Sequence, residues 1–366
     1  MAGRRRLLWL LALIPLPFAV LAFHFLAPRP RPQVEGRPAA LLTGTRNILI
    51  IGRDARALGP VTREGLVRQQ REESSHSDMM MLAHVNLDLG RVNLVGIPRD
   101  LLVEVPGVTQ AESSLDFTNM EKLTHVYAIG GDHLLRRTIE LLLGIKIHRS
   151  MAFDFDTFRM TFGVLAPFIG RLRVSGVALG NRQEALKFAR RRHGLPQDDI
   201  DRCRNDLLLV RAILGRTWWL ADTRLGEITL RRILRIVGND TDLTLEELLA
   251  IAATLNANRF EPAEIRTAVL AGEGAEVTLT RYNTTLFCYL PAYGEIRRQA
   301  ARYLLDEDDV EAIDFMTRER FPAPGYLFAN YVLDTLTQVL PDSTDEVSRR
   351  RELESQGTTA RPESAR

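Results

Sequence analysis

Asn47-Ile48-Leu49-Ile50-Ile51-Gly52-Arg53-Asp54-Ala55-Arg56 opens a stretch that closes with Val92-Asn93-Leu94-Val95-Gly96-Ile97-Pro98-Arg99-Asp100, and its reading decides the fold. Between the two pieces lies His76-Ser77-Asp78-Met79-Met80-Met81-Leu82. Apolar runs of strand length stand at Ile48–Ile51, Met79–Val85 and Val92–Ile97, each with charged residues at one end. A buried strand is an apolar run of about 4–8 residues flanked by turn residues. An unpaired charge inside such a strand is costly, so charges gather at its ends. If the runs are neighbours, Asp54, Arg56, Asp78, Arg99 and Asp100 converge on one edge of a sheet. Carboxylates that can hold a divalent metal, beside arginines that can grip phosphate, make a site for phosphoryl chemistry.

Downstream, Leu101–Val105 continues as a short strand ended by Pro106-Gly107. Lys122–Ile129 begins a helix that Gly130-Gly131 breaks. Asp132 can cap the next helix, and Gly144 ends it. Lys146–Phe155 reads as a strand followed by a cap, and Phe158–Phe168 as a helix. This alternation predicts an α/β fold, a central mixed β-sheet flanked by helices in three α/β/α layers. Farther on, Asp206–Ala221 reads as a helix. Its stripe of Leu207, Leu208, Val210, Ile213, Leu214, Trp218 and Trp219 has the spacing of a core face. Asp242–Asn256 reads as another helix, with Thr244 and Glu247 fitting a capping box. Ile265–Leu270 and Ala275–Thr280 look like late strands, and Tyr326–Leu340 a last helix.

Upstream, Arg4-Arg5-Arg6 precedes Leu7–Ala27, which is apolar apart from His24. About 20 apolar residues cross a bilayer as a helix. Arginines before such a run predict a cytoplasmic N-terminus. The run is longer than the apolar region of a signal peptide, and Val20-Leu21-Ala22 is a poor cleavage site. Residues 1–27 therefore read as a cytoplasmic stub and an uncleaved, single-pass transmembrane helix. Residues 28–46 form a Pro/Arg-rich linker and 47–340 an extracytoplasmic domain, with its core motifs in 47–214. Residues 341–366 are polar without apolar period and read as a disordered tail. Ala57–Ser75 is either a solvated connection or a lid.

With 366 residues, 45% hydrophobic and 26% charged, the chain suits one large domain or two small ones. A net charge of +2 provides no global field of the kind that marks a nucleic-acid binder. Two cysteines, Cys203 and Cys288, make no disulfide framework; two buried thiols and one bridge both remain open. Basic residues instead cluster locally. Ala185-Leu186-Lys187-Phe188-Ala189 runs into Arg190-Arg191-Arg192-His193, and Asp198-Asp199-Ile200-Asp201-Arg202-Cys203-Arg204 follows. Such a run is usually a solvated basic face. Here it leaves an apolar element, and arginines this close repel unless an anion or carboxylates neutralise them. A pyrophosphate has the charge for that, and the arginine fork matches its oxygens.

The motifs resemble the LytR–CpsA–Psr family, enzymes that attach anionic polymers to the bacterial cell wall. The matching pieces are Gly52-Arg53-Asp54-Ala55-Arg56, Ser77-Asp78, Ile97-Pro98-Arg99-Asp100, Lys122 with Tyr127-Ala128-Ile129-Gly130-Gly131, the Arg190–Arg192 run and Asp199-Ile200-Asp201-Arg202. Their order and spacing are specific together, over roughly Asn47 to Leu214. The resemblance implies a membrane-anchored phosphotransferase. It would move a glycopolymer from a polyprenyl-pyrophosphate-linked donor to peptidoglycan or another envelope glycan. It implies Mg²⁺ on Asp54 and Asp78. Arg56, Arg99, Arg190, Arg192 and Arg202 would hold pyrophosphate, with Asp54, Asp78, Arg99, Arg190 and Arg192 as the catalytic set. Asp100 follows the matched arginine and can hold it in place. The sequence departs from the pattern at His76, where the family has Arg, and at Asn205-Asp206, where it has Arg-Gln. A polar hand on the phosphate would then be lost or replaced by the Asp206 carboxylate. Part of the Leu207–Trp219 stripe could line a channel for the polyprenyl tail. A non-catalytic polyprenyl-phosphate binder or regulator is the alternative function. The sequence carries no signal for oligomeric state.

Overall fold

The three apolar runs become three neighbouring strands, β1 (Thr45–Arg53), β2 (Ser77–Asn86) and β3 (Arg91–Ile97). The computed structural model describes residues 42–53, 76–106, 120–189, 198–279 and 284–308, with the backbone of a short pairing of Gln33–Val34 with Arg37–Pro38. β2 runs antiparallel to both neighbours, with Leu82 opposite Leu49 on one side and Val95 on the other. Both sheet faces are covered, which is why the strands are apolar nearly throughout and do not alternate. Leu49, Ile51, Leu82, Val95 and Ile97 are fully buried.

Beyond β3, Leu102–Glu104 (β4) pairs antiparallel with Met120–Lys122 (β5). Helix α1 (Leu123–Leu143) follows without interruption in its course but kinks at Gly130 and Gly131. Gly131 takes φ +63° and ψ −157°, a conformation that needs a residue without Cβ. The predicted break is thus a kink between two helical halves. Gly144 ends α1 at φ +65°, its N–H donating to Glu140 O. β6 (Arg149–Phe153) adds parallel to β1. Asp154 then caps α2 (Phe155–Ile169), its carboxylate accepting from Thr157 N at 2.7 Å.

The antiparallel strands β7 (Leu172–Val174) and β8 (Val177–Leu179) lead into α3 (Arg182–Ala189). Helix α4 (Asp198–Thr217) starts eight residues earlier than the predicted Asp206. The charge cluster at 199–204 is therefore helical, not loop. Helix α5 (Arg224–Val237) was not read from the sequence. Helix α6 (Leu245–Ala257) is capped as predicted by Thr244, which accepts from Glu247 N. Half of the expected capping box is diverted, because the Glu247 carboxylate accepts from Arg149 Nε at 2.7 Å. β9 (Arg266–Val269) adds parallel to β3. β10 (Gly272–Leu279) and β11 (Thr284–Pro291) form a hairpin, and α7 (Tyr293–Leu304) follows. The strand order β9-β3-β2-β1-β6 makes a mixed five-stranded sheet with helices on its faces.

One face packs Ile48, Met81, Val85 and Leu94 against Leu207 of α4, Ile251 and Leu255 of α6, and Phe260. Trp218 joins this core, edge-on to Phe260 at 4.7 Å. Trp219 does not; it is 53% exposed beside Phe168. The opposite face carries a buried polar knot. Asp306, just past α7, accepts from Asn86 Nδ2 (2.7 Å), Asn93 Nδ2 (3.0 Å) and an Arg266 guanidinium N–H (3.3 Å), and lies 2.9 Å from His84 Nε2. The other His84 nitrogen meets Asn47 Oδ1 at 2.7 Å. At the outer edge of the sheet, the Gln299 side chain donates to Val269 O (2.9 Å) and accepts from Ala271 N (3.1 Å).

Cys203 and Cys288 are both buried and free, which settles the thiol question against a bridge. Among the described residues no helix is long and apolar enough to cross a membrane. Leu7–Ala27, Ala57–Ser75, Tyr326–Leu340 and the tail 341–366 lie outside those residues.

Candidate active site

Antiparallel order brings the end of β1, the start of β2 and the end of β3 to one side of the sheet. Gly52 pairs with Met79 and Met80 with Ile97, so Arg53, Asp78 and Arg99 leave the sheet together. A register shift at Gly52/Arg53 turns the end of β1 at that point. Asp54 and Arg56, the next members of the predicted site, lie outside the described residues, as do Arg190 and Arg192.

Arg99 is the centre of what is described. Its Nη1 donates to Asp78 Oδ1 at 2.5 Å. Its Nε lies 3.5 Å from Asp100 and 3.4 Å from Asp199. That nitrogen is buried and aligned with neither carboxylate, so one guanidinium donor is unused. Burial disfavours the charged form of Arg99, but Asp100, Asp78 and Asp199 outweigh it and raise its pKa above the usual value. The turn that carries it is fixed through the backbone. Arg99 N donates to Asp199 Oδ2 at 3.2 Å, Thr124 N donates to Arg99 O at 2.9 Å, and Tyr289 N donates to Asp100 O at 2.8 Å. Lys122 Nζ reaches Asp100 Oδ1 at 3.2 Å. Asp100 thus ties Lys122 to the Arg99 turn, in keeping with a holding role.

Helical phase sorts the cluster on α4. Asp199, Arg202, Cys203 and Asp206 point inward, while Arg204 points to solvent and pairs with Asp201. Arg202 is 5% exposed; it donates to Asp78 O at 2.7 Å and bonds Asp199. It braces the start of β2 from behind. Burial raises the Asp199 pKa, opposed by Arg202 and Arg99. Asp206 is also buried, and burial lifts its pKa to about 8, leaving it neutral at pH 7. The expectation that Asp206 offers a carboxylate to phosphate is therefore corrected: it sits in the interior beside Arg202, uncharged.

Two neighbouring features escaped the sequence reading. Arg53 donates to Asp240 at 2.5 Å and to the Tyr127 hydroxyl at 3.3 Å. It anchors the chain one residue before Asp54. His125 Nδ1 meets Glu121 at 2.7 Å, and its ring stands edge-on to His76 at 5.5 Å. Arg53 and Asp240 lie far apart in sequence and leave no local signal, whereas Glu121 and His125 stand four residues apart.

Asp78, Asp100 and Asp199 gather hard oxygen donors around one arginine, a set that suits Mg²⁺ better than a thiophilic metal. Among the described residues no group of three His, Cys, Asp or Glu could hold a metal alone. A metal on Asp78 would need a ligand such as Asp54 to complete its set.

The LytR_cpsA_psr family model matches residues 29–164, bearing out the resemblance carried by the motifs. The polyisoprenyl-teichoic acid–peptidoglycan teichoic acid transferase TagU of Oceanobacillus iheyensis is 25% identical over 230 residues, 55% of this chain and 60% of that one. The regulatory protein MsrR of Staphylococcus aureus is 25% identical over 175 residues, 42% of this chain and 50% of that one. The chain thus spans little more than half the length of these relatives. The crystal structure of B. subtilis TagV shares the fold, with a TM-score of 0.52 and 18% identity over 72% of this chain and 98% of that one.

Proposed function

From the family match over residues 29–164, we propose that the chain is a membrane-anchored glycopolymer transferase of the LytR–CpsA–Psr type. The donor is a polyprenyl-pyrophosphate-linked glycan, and the acceptor a hydroxyl of peptidoglycan or another envelope glycan. Leu7–Ala27 anchors it, with the domain outside the cytoplasm. The observation that carries the reading is the convergence of Asp78, Arg99, Asp100, Asp199 and Arg202 at one side of the sheet. Guanidinium and carboxylate groups held in a partly desolvated cluster are a preorganised site for phosphoryl transfer.

In this reading Arg99 binds the pyrophosphate oxygens, with Arg56, Arg190 and Arg192 supplying further donors. Asp54 and Asp78 would hold Mg²⁺, whose chemistry there is to neutralise non-bridging oxygens. The acceptor hydroxyl attacks the sugar-proximal phosphorus. Its O–P bond forms as the bond to the bridging oxygen breaks, and polyprenyl phosphate leaves with the electron pair. A carboxylate of the cluster takes the hydroxyl proton. Arg202 and Lys122 position Asp78 and Asp100 and need not touch substrate.

The test is transfer of radiolabelled glycan from a lipid-linked donor to peptidoglycan. Arg99→Ala should lower the rate by about 10²–10³, the cost of removing one charge-stabilising donor. Normal turnover by an Arg99→Ala, Arg190→Ala double variant refutes the mechanism. That the second relative is named a regulatory protein motivates one other reading, a non-catalytic binder of polyprenyl phosphates. Such a binder holds lipid equally well after chelation, whereas the transferase stops turning over.

A further inference from the structure

Helix α5 presents an uncommon outer face. Arg224, Ile228, Arg231, Arg232 and Arg235 are its exposed residues. They stand at i, i+4, i+7, i+8 and i+11, so they form one stripe along the axis. At 1.5 Å per residue the stripe is about 16 Å long. Glu227 pairs with Arg231 at 2.9 Å, and Asp222 precedes the helix; no other acid lies on Arg224–Val237. The buried side of α5 is Gly226, Thr229 and Val237, so its arginines are committed outward by packing.

The stripe has a direction. Past its arginine-rich end, Gly238 closes the helix and Asp240 follows. Asp240 holds Arg53 at 2.5 Å, and its carbonyl accepts from Ala152 N at 2.7 Å. The end of α5 is thereby pinned against the end of β1, beside the site. At the other end stands Trp219, 53% exposed, on the short turn Trp218–Leu220 that packs against the helix.

We infer that this stripe is a binding track for a polyanionic glycan, a polymer with phosphodiester charges at regular intervals, feeding toward the Arg53–Asp240 corner. Guanidinium groups spaced along an axis suit a repeating phosphate better than a single anion. Trp219 and Ile228, 49% exposed, supply apolar surface on which sugar rings can lie. A bilayer surface fits less well. A membrane-lying helix turns a broad apolar face outward. Here the other apolar residues of α5 are half-buried or buried, and on the exposed stripe a lone isoleucine stands between arginines. The inference rests on the transferase reading for the polymer's destination, not for its binding.

The experiment uses full-length protein in neutral detergent, with long-chain inorganic polyphosphate and inorganic pyrophosphate as probes. Arg231→Gln, Arg232→Gln, Arg235→Gln keeps helix-forming side chains and removes the charge. It should weaken polyphosphate binding about tenfold, a change of about 1.4 kcal/mol. Pyrophosphate binding should stay within about twofold, because no site arginine is altered. The matching triple lysine variant restores the charge and should recover most of the polyphosphate affinity. Unchanged polyphosphate affinity in the glutamine variant overturns the inference. So does a parallel loss of both probes, or failure of the lysine variant to recover. A loss confined to retention on micelles doped with phosphatidylglycerol overturns it in favour of a lipid surface. Failure of pyrophosphate to bind the unaltered protein counts against the transferase site alone and leaves the polyphosphate comparison readable.

Discussion

Replacing Asp306 by Asn probes the polar knot on the sheet face opposite α4. The Asp306 carboxylate is 4% exposed and takes hydrogen bonds from His84, Asn86 and Asn93. Burial alone would raise its pKa, but these bonds outweigh it and hold the group at about 2, against 3.8 for a free carboxyl. At 1.36 kcal/mol per pH unit, that difference is worth about 2.4 kcal/mol. The folded state binds its proton later than the unfolded state as pH falls. The contribution is therefore complete above about pH 5 and fades as pH drops toward 2. Asparagine keeps the shape and tolerates the φ of +55° at this position, so backbone strain is unchanged. It cannot accept with both ends, and one buried donor loses its partner. Urea unfolding of Asp306→Asn at pH 7 should show a loss of about 2–3 kcal/mol. The gap from the parent protein should close as pH approaches 2. A gap below about 0.5 kcal/mol at pH 7, or one constant down to pH 2.5, refutes the argument.

Other outcomes follow from the same kind of reasoning. Asp206, neutral when folded up to about pH 8, ionises in the unfolded chain above about pH 4, so folding loses stability as pH rises between those values. Asp206→Asn should raise the melting temperature more at pH 8 than at pH 5, and an equal rise at both pH values contradicts the burial account. Cys203 and Cys288 are buried, with the thiol of Cys288 pushed up to about 11 and that of Cys203 also raised by burial. A thiol reagent at pH 8 should label neither in the native protein and both in urea; rapid native labelling disproves this. Trp218→Ala should cost about 3–5 kcal/mol and Trp219→Ala under about 1 kcal/mol, measured by denaturant unfolding. Comparable losses would contradict the placement of Trp218 in the core and Trp219 at the surface.

Elements with a local signal were legible from the chain alone. The strands around Leu49, Leu82 and Val95 announce themselves by apolar runs, and Gly144, Asp154 and Thr244 mark helix ends by their own chemistry. Helix α5 was obscured because arginines crowd it and Ile228 breaks the apolar stripe by facing out. Helix α7 has Ala292 at its N-cap and so no side-chain cap, and nothing in the sequence marks its beginning. The charges at 199–204 fell outside the predicted Asp206–Ala221 helix because helical phase, not composition, decides which of them point inward. Asp78, Arg99 and Asp100 were found from their position at strand ends. The pairings of Arg53 with Asp240 and His84 with Asp306 join residues far apart in sequence, and no local pattern records them. Asp206 was misread for a related reason, since its charge depends on burial that only packing sets.

The Gln299 carboxamide on Val269 and Ala271 stands in for a missing peptide unit at the rim of β9. A bare rim of that kind is a template on which a second molecule can zip itself. A plug drawn from α7 occupies two of the backbone groups that such a template would offer.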